Sequence, residues 1–219
     1  MELMIAISIL SIILLLSSMV LVGIGNLYSK GANLSNVQDT TRNIVENVVS
    51  AVQFSGDQLN NGQPAIVHNY VYNSSTVQVS AYCFGQTRYS FVTGFNLPPG
   101  WSHILWLDRM STPGDCFPLD IGQPSPTCLG ILGCIDSQIN SGSELIGANM
   151  HIATFDITEY NPQLYSVSVG IGFGAKDMFV SNGGVPTLVN GNYQCSDSAG
   201  QQYCASSYLT TFASERLSQ

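Results

Sequence analysis

Residues 1–26 read MELMIAISILSIILLLSSMVLVGIGN, and this stretch decides the fold. Glu2 opens it, and no further charged side chain follows until Lys30. Leu3 to Gly25 holds only apolar residues, serines and two glycines. As a helix this run reaches about 35 Å at 1.5 Å per residue, enough to cross a bilayer. A secretory signal peptide would carry a basic leader, a shorter apolar core and a small-x-small cleavage site, and none of these is evident, which argues against removal of the segment. An ordinary anchor is more often flanked by Lys or Arg at its cytoplasmic end, and Glu2 has the wrong sign for that. A carboxylate at the edge of hydrocarbon is costly, about 3 kcal/mol if it sits deep, so Glu2 either has a partner or lies in the headgroup region with no role, and its position alone does not choose between them.

The helical signal continues past the apolar run. Leu34, Val37, Ile44, Val48 and Val52 recur at spacings of three, four or seven, and Val45 and Val49 widen the stripe. Asp39, Arg42 and Glu46 fall mostly between them, so this half predicts an amphipathic helix laid against a globular domain. Gly23, Gly25 and Gly31 mark the junction, where they permit a bend or local melting at about 1 kcal/mol each relative to alanine. A helix, a loop and a second helix is the alternative.

"ELMIAISIL" followed by a long apolar helix resembles the start of a type IV pilin or pseudopilin, in which a glutamate five residues into the mature chain precedes a hydrophobic helix. In that family a prepilin peptidase removes a short basic leader just before a residue that is usually phenylalanine. Aligning Glu2 with the family's glutamate places Met1 where Ile or Val is common, and implies three mature residues of the Phe-Thr-Leu kind upstream. The resemblance makes Glu2 an assembly residue that neutralises the N-terminal ammonium of a neighbouring subunit, an attraction far stronger in low dielectric than in water. It makes Leu3, Ile5, Ile9, Ile12, Leu16 and Val20 part of the membrane store and later of the filament core. "NVQDTTRNIVENVVSAVQFSG" resembles the helix exit of W-type minor pilins and J-type pseudopilins, and "ELIGANMHIATFDITEYNPQLYSVSVGIGF" resembles their second-sheet region.

The expected fold class is therefore α+β, a type IV pilin-like lollipop with a long N-terminal hydrophobic helix packed on a mainly antiparallel β-sheet head. Residues 1–54 form the helix, with 3–25 as the transmembrane and filament-core half and 32–54 as the amphipathic half. Residues 55–219 form the β-rich head, at about 165 residues large enough for a core of its own. "SGDQLNNGQP" is a turn-rich linker, after which short Val-, Tyr-, Ile-, Thr- and Phe-rich runs predict strands at 66–72, 77–82, 89–93, 103–107, 150–157 and 165–173. The clearest is "YSVSVGIGF", where Tyr165, Val167, Val169, Ile171 and Phe173 alternate with small residues.

Cys83, Cys116, Cys128, Cys134, Cys195 and Cys204 make an even count in a domain expected outside the cytoplasm, which favours disulfides. Six cysteines allow fifteen pairings. The favoured one joins Cys128 to Cys134, Cys195 to Cys204 and Cys83 to Cys116, since the first two pairs close short loops. Zinc is the competing reading, but no C-x-x-C occurs and His68, His103 and His151 stand alone.

Catalytic motifs are missing: there is no G-x-S-x-G, H-E-x-x-H, Walker loop or dinucleotide fingerprint. No catalytic residue, metal or cofactor is assigned. His103 in "GWSHILW" reads as a strand-edge histidine between partly buried aromatics. Asp108, Asp115 and Asp120 do not match the EF-hand loop. "NLS" at Asn33 and "NSS" at Asn73 fit the short glycosylation sequon. A net charge of −8 with six Lys and Arg leaves no basic footprint for nucleic acid.

The resemblance implies a minor pilin-like subunit that initiates or caps a type IV pilus or related filament in adhesion and motility. Its partners would be other pilins, major and minor, the inner-membrane assembly platform, the prepilin peptidase, and a host-cell or surface target. It would reside in the bacterial cytoplasmic membrane before assembly and in an extracellular filament afterwards. A major pilin or type II secretion pseudopilin is the alternative within the class. A single-pass, membrane-anchored surface binding protein or enzyme is the rival from another class.

Overall fold

The computed structural model describes residues 2–55, 65–72, 75–95, 97–110, 116–124, 127–128, 142–161, 163–196 and 200–215. One helix, α1 (Glu2–Ser55), runs unbroken through the glycine junction, which corrects the helix, loop and helix alternative. Gly23, Gly25 and Gly31 are helical, and a Cβ added at any of them would meet nothing within 4 Å. The apolar runs on both sides of three scattered glycines carry the helix across a cost of about 1 kcal/mol each.

Fourteen strands are described. In chain order they are β1 (Ile66–Tyr72), β2 (Ser75–Phe84), β3 (Thr87–Phe91), β4 (Leu105–Arg109), β5 (Leu119–Asp120), β6 (Thr127–Cys128), β7 (Ser143–Glu144), β8 (Met150–Asn161), β9 (Leu164–Phe173), β10 (Ser181–Asn182), β11 (Val185–Pro186), β12 (Leu188–Val189), β13 (Asn192–Tyr193) and β14 (Ala205–Ser214). The first sheet has the order β1-β2-β3-β4-β7 and the second β14-β9-β8, both antiparallel throughout. A parallel bridge from Thr93 to Ile152, with Gly94 N donating to Ile152 O at 2.9 Å, joins the two sheets.

The core lies where the second half of α1 meets the inner faces of both sheets. Val37, Ile44, Val45, Val48 and Val52 of the helix share it with Tyr82, Phe84, Tyr89 and Phe91 of the first sheet and with Phe155, Tyr165, Val167, Val169 and Ile171 of the second. The predicted stripe is occupied almost throughout, and Leu34, at 38% exposed, is its loose end. Buried Thr41 fills the gap between Val37 and Ile44 by donating its hydroxyl to Val37 O at 2.7 Å.

On β9 the odd-numbered residues face this core while Gly170 and Gly172 face outward. A Cβ at Gly170 would lie 2.9 Å from Gly191 O, and one at Gly172 would lie 2.8 Å from the Tyr193 ring. Glycine is therefore what lets β12, β13 and Phe179 lie flat on the back of the sheet.

The helix and β14 run side by side in the same direction. Asn33 donates to Gln202 O at 3.3 Å, just before β14 begins. At the far end Ala213 pairs with Tyr165, whose ring meets Phe84, and Phe84 shares a cleft with Asn47 and Phe54 near the helix terminus.

Candidate assembly surface

Leu3, Ile5, Ile9, Ile12, Leu16 and Val20 are 53–73% exposed, whereas Val37, Val48 and Val52 of the same helix are fully buried. The helix is long and apolar enough to cross a membrane, and none of the described residues covers its apolar window. Its serines do not spoil that surface. Ser8 donates to Met4 O at 2.7 Å, Ser11 to Ile7 O at 2.8 Å and Ser17 to Ile13 O at 2.8 Å, so these hydroxyls are satisfied within the helix. Glu2 is the first residue of α1, and its side chain lies outside the described residues.

Two of the favoured cystine pairings are formed. Cys83 is bonded to Cys116 and Cys195 to Cys204. Cys134 and the side chain of Cys128 lie outside the described residues, as do Asn73 and Asp115. Asn33, read as a sequon, holds the head to the helix through Gln202.

The Cys83–Cys116 bond straps residues 116–121 over the outer face of the first sheet. Beneath the strap, Arg88 and Asp108 form a buried two-armed ion pair: Arg88 Nε donates to Asp108 Oδ1 at 2.9 Å, and Nη2 bonds Oδ2. Arg88 Nη1 also donates to Phe117 O at 2.9 Å, Tyr70 OH to Pro118 O at 2.9 Å and Leu119 N to Ser90 Oγ at 3.1 Å. Burial, with Asp120 nearby, pushes the Tyr70 phenol up to about 12, which keeps it a donor. Asp108 is thus a structural carboxylate.

His103 does not stand alone. Its Nδ1 lies 3.2 Å from Glu144 Oε2 and its ring 4.4 Å from the Trp106 ring. Glu144 accepts from Leu105 N at 2.8 Å and Ile104 N at 3.2 Å, which fastens β7 to β4. Burial pushes this carboxyl up to about 7 against the opposing effect of those N–H donors. The same bonds explain why the strand predicted at 103–107 is observed at Leu105–Arg109: the carboxylate takes the N–H groups at its start. The partnership was invisible in sequence because Glu144 comes about forty residues after His103 with no motif between them.

An open cleft of about 720 Å³ lies between the end of α1 and the β2–β3 turn, lined by Asn47, Phe54, Phe84, Gln86, Tyr89 and Arg109 among others. Asn47 accepts from Tyr89 OH at 2.8 Å, and Arg109 Nε donates to Gln86 Oε1 at 2.8 Å, so these four polar residues of its lining are engaged with one another. Among the described residues no group of three His, Cys, Asp or Glu could hold a metal ion.

The fold and this surface define an α+β chain with one apolar helix able to anchor in a membrane and an antiparallel β head packed on that helix's second half. No family model matches the sequence, no curated protein matches it, and no solved structure matches it.

Proposed function

We propose that this chain is a pilin-type filament subunit, stored in the cytoplasmic membrane by α1 and assembled with other pilins through it. Within that class we assign it to the minor subunits that start or cap a type IV pilus or related filament. The observation that carries the reading is the exposed apolar half of α1, rigidly continuous with a half buried in the head. Such a surface needs lipid or the equivalent helices of other subunits, and an unbroken helix can exchange one for the other without refolding the head. Two disulfides bracing the head suit a subunit exposed at a fibre tip, where it would meet a surface target. The chain then acts by assembly and not by catalysis, with a prepilin peptidase and a membrane assembly platform as its processing partners.

The test is recovery of the chain in filaments sheared from cells, with the wild type compared to Glu2→Ala. Wild-type chain at low abundance beside a more abundant pilin, with Glu2→Ala inserted in the membrane but missing from filaments, is the expected result. Equal incorporation of both would remove the role given to Glu2. Confinement of the wild type to the membrane fraction would make it a single-pass surface protein instead.

A further inference from the structure

We propose that the base of the head, led by Tyr203 with Tyr28 and Lys30 of the helix, rests on the phospholipid headgroups of the leaflet from which α1 emerges. The inference depends on α1 spanning a bilayer. With Gly25 at the hydrocarbon boundary, Tyr28 lies about 4.5 Å and Lys30 about 7.5 Å further along the axis, within the headgroup layer of roughly 5–7 Å or at its outer edge. Tyr28 is 78% exposed.

The head starts almost at once beyond them. Asn33, which bonds Gln202 O, is about 12 Å from Gly25 along the axis, so the 201–203 turn hangs roughly 5 Å above the headgroups. Tyr203 on that turn is 51% exposed, and tyrosine is a residue that settles at a membrane interface, with an apolar ring and a polar tip.

The turn belongs to a fixed platform. Tyr203 N bonds Gly200 O at 2.9 Å, Cys204 is cross-linked to Cys195, and Ser196 N bonds Met178 O at 2.8 Å. A Cβ on Gly174 would lie 3.1 Å from Tyr203 O, so the loop carrying Lys176 is pressed against the same turn. Both lysines of the chain, Lys30 and Lys176, thus fall at this end of a molecule of net charge −8, together with exposed Asp177. The opposite end carries exposed Tyr160 and Phe212, in ring contact 5.8 Å apart. It lies about 30 Å away along β14, beyond reach of the same leaflet.

The experiment uses the full chain in phospholipid nanodiscs, with Trp101 and Trp106 replaced by Phe and a single Trp introduced by Leu16→Trp, Tyr203→Trp or Phe212→Trp. Lipids are brominated near either the headgroup or the chain end. Expected is deep quenching for the Leu16 variant, shallow quenching for the Tyr203 variant and none for the Phe212 variant. Deep quenching at position 16 with position 203 as bright as position 212 overturns the proposal while leaving the span intact. No quenching at position 16 overturns the span and the proposal with it. If the replacements disturb the fold, hydroxyl-radical footprinting of the unmodified chain in the same discs decides. Tyr203 should be oxidised at least about threefold more slowly than Tyr160, and rates in proportion to their exposures refute the contact.

Discussion

The two halves of α1 share one backbone and differ in what completes them. From Leu3 to Leu27 the large apolar side chains are exposed on every side, while from Val37 to Val52 a single stripe is buried and the rest is polar. The second half is completed within the chain by two sheets, and the first, uncovered by any described residue, is apolar enough to lie in a membrane. A helix apolar all round carries no information about which face meets a partner; a striped one fixes its rotation to within a residue. The first half is therefore suited to interchangeable surroundings, and the second to one.

The sharpest way to break this contrast is to place the same insult in each half. Val48→Asp puts an unpaired charge in the core and should cost about 4 kcal/mol or more, read as loss of the cooperative thermal transition of the head. Asp108→Ala, under the strap, leaves Arg88 buried without its counter-ion and should cost about 3–5 kcal/mol by the same measurement. Leu16→Arg should leave the head's transition unchanged and oppose membrane insertion by about 3 kcal/mol, seen as a shift from the membrane to the soluble or aggregated fraction. A fall in the head's melting temperature with Leu16→Arg would show that the halves are not separable.

Smaller effects sharpen the picture within the head. Replacing both Cys195 and Cys204 by Ser opens a loop closed across a sequence separation of 9 and should cost about 3 kcal/mol, loosening the turn that meets Asn33. The last prediction concerns Glu144, whose carboxyl is raised by burial to about 7 from an ordinary 4.5. A raised folded-state value means the contribution is complete below about pH 4.5 and lost as pH rises through about 7. Stability measured from pH 5 to 8 should therefore decline, and Glu144→Gln should flatten that part of the slope. An unchanged slope would place the pH dependence outside Glu144.

What was legible in the sequence follows from how each element is completed. The apolar run, the stripe from Val37 to Val52, the Tyr165–Phe173 alternation and the Cys195–Cys204 pairing could be read locally, since each rests on spacing along a few turns, one strand or a short loop, whereas Cys83 and Cys116, 33 residues apart, could be paired only as the cysteines left over. β14 was missed for a physical reason. It turns Ala205 and Ala213 into the core shared with the helix, where small side chains allow close approach, and its large Tyr208, Leu209 and Phe212 are exposed. Its apolar signal is inverted relative to an ordinary half-buried strand. β8 runs on to Asn161, past the 157 limit expected, because pairing with β9 holds its exposed polar end in the ladder. Arg88 and Asp108 lie opposite each other on β3 and β4, and Glu144 of β7 reaches back to His103 just before β4, so only the folded pairing of strands brings either pair together.

The side-by-side course of α1 and β14 has a mechanical consequence. A force pulling on the N-terminal end of the helix reaches the head through a contact aligned with the pull, so Val37, Ile44, Val48 and Val52 are loaded together in shear and do not peel away one at a time. The Cys83–Cys116 strap lies on the far face of the first sheet, off this load path. A chain built this way should withstand axial tension well and yield far sooner to a force that lifts the helix sideways off the sheet.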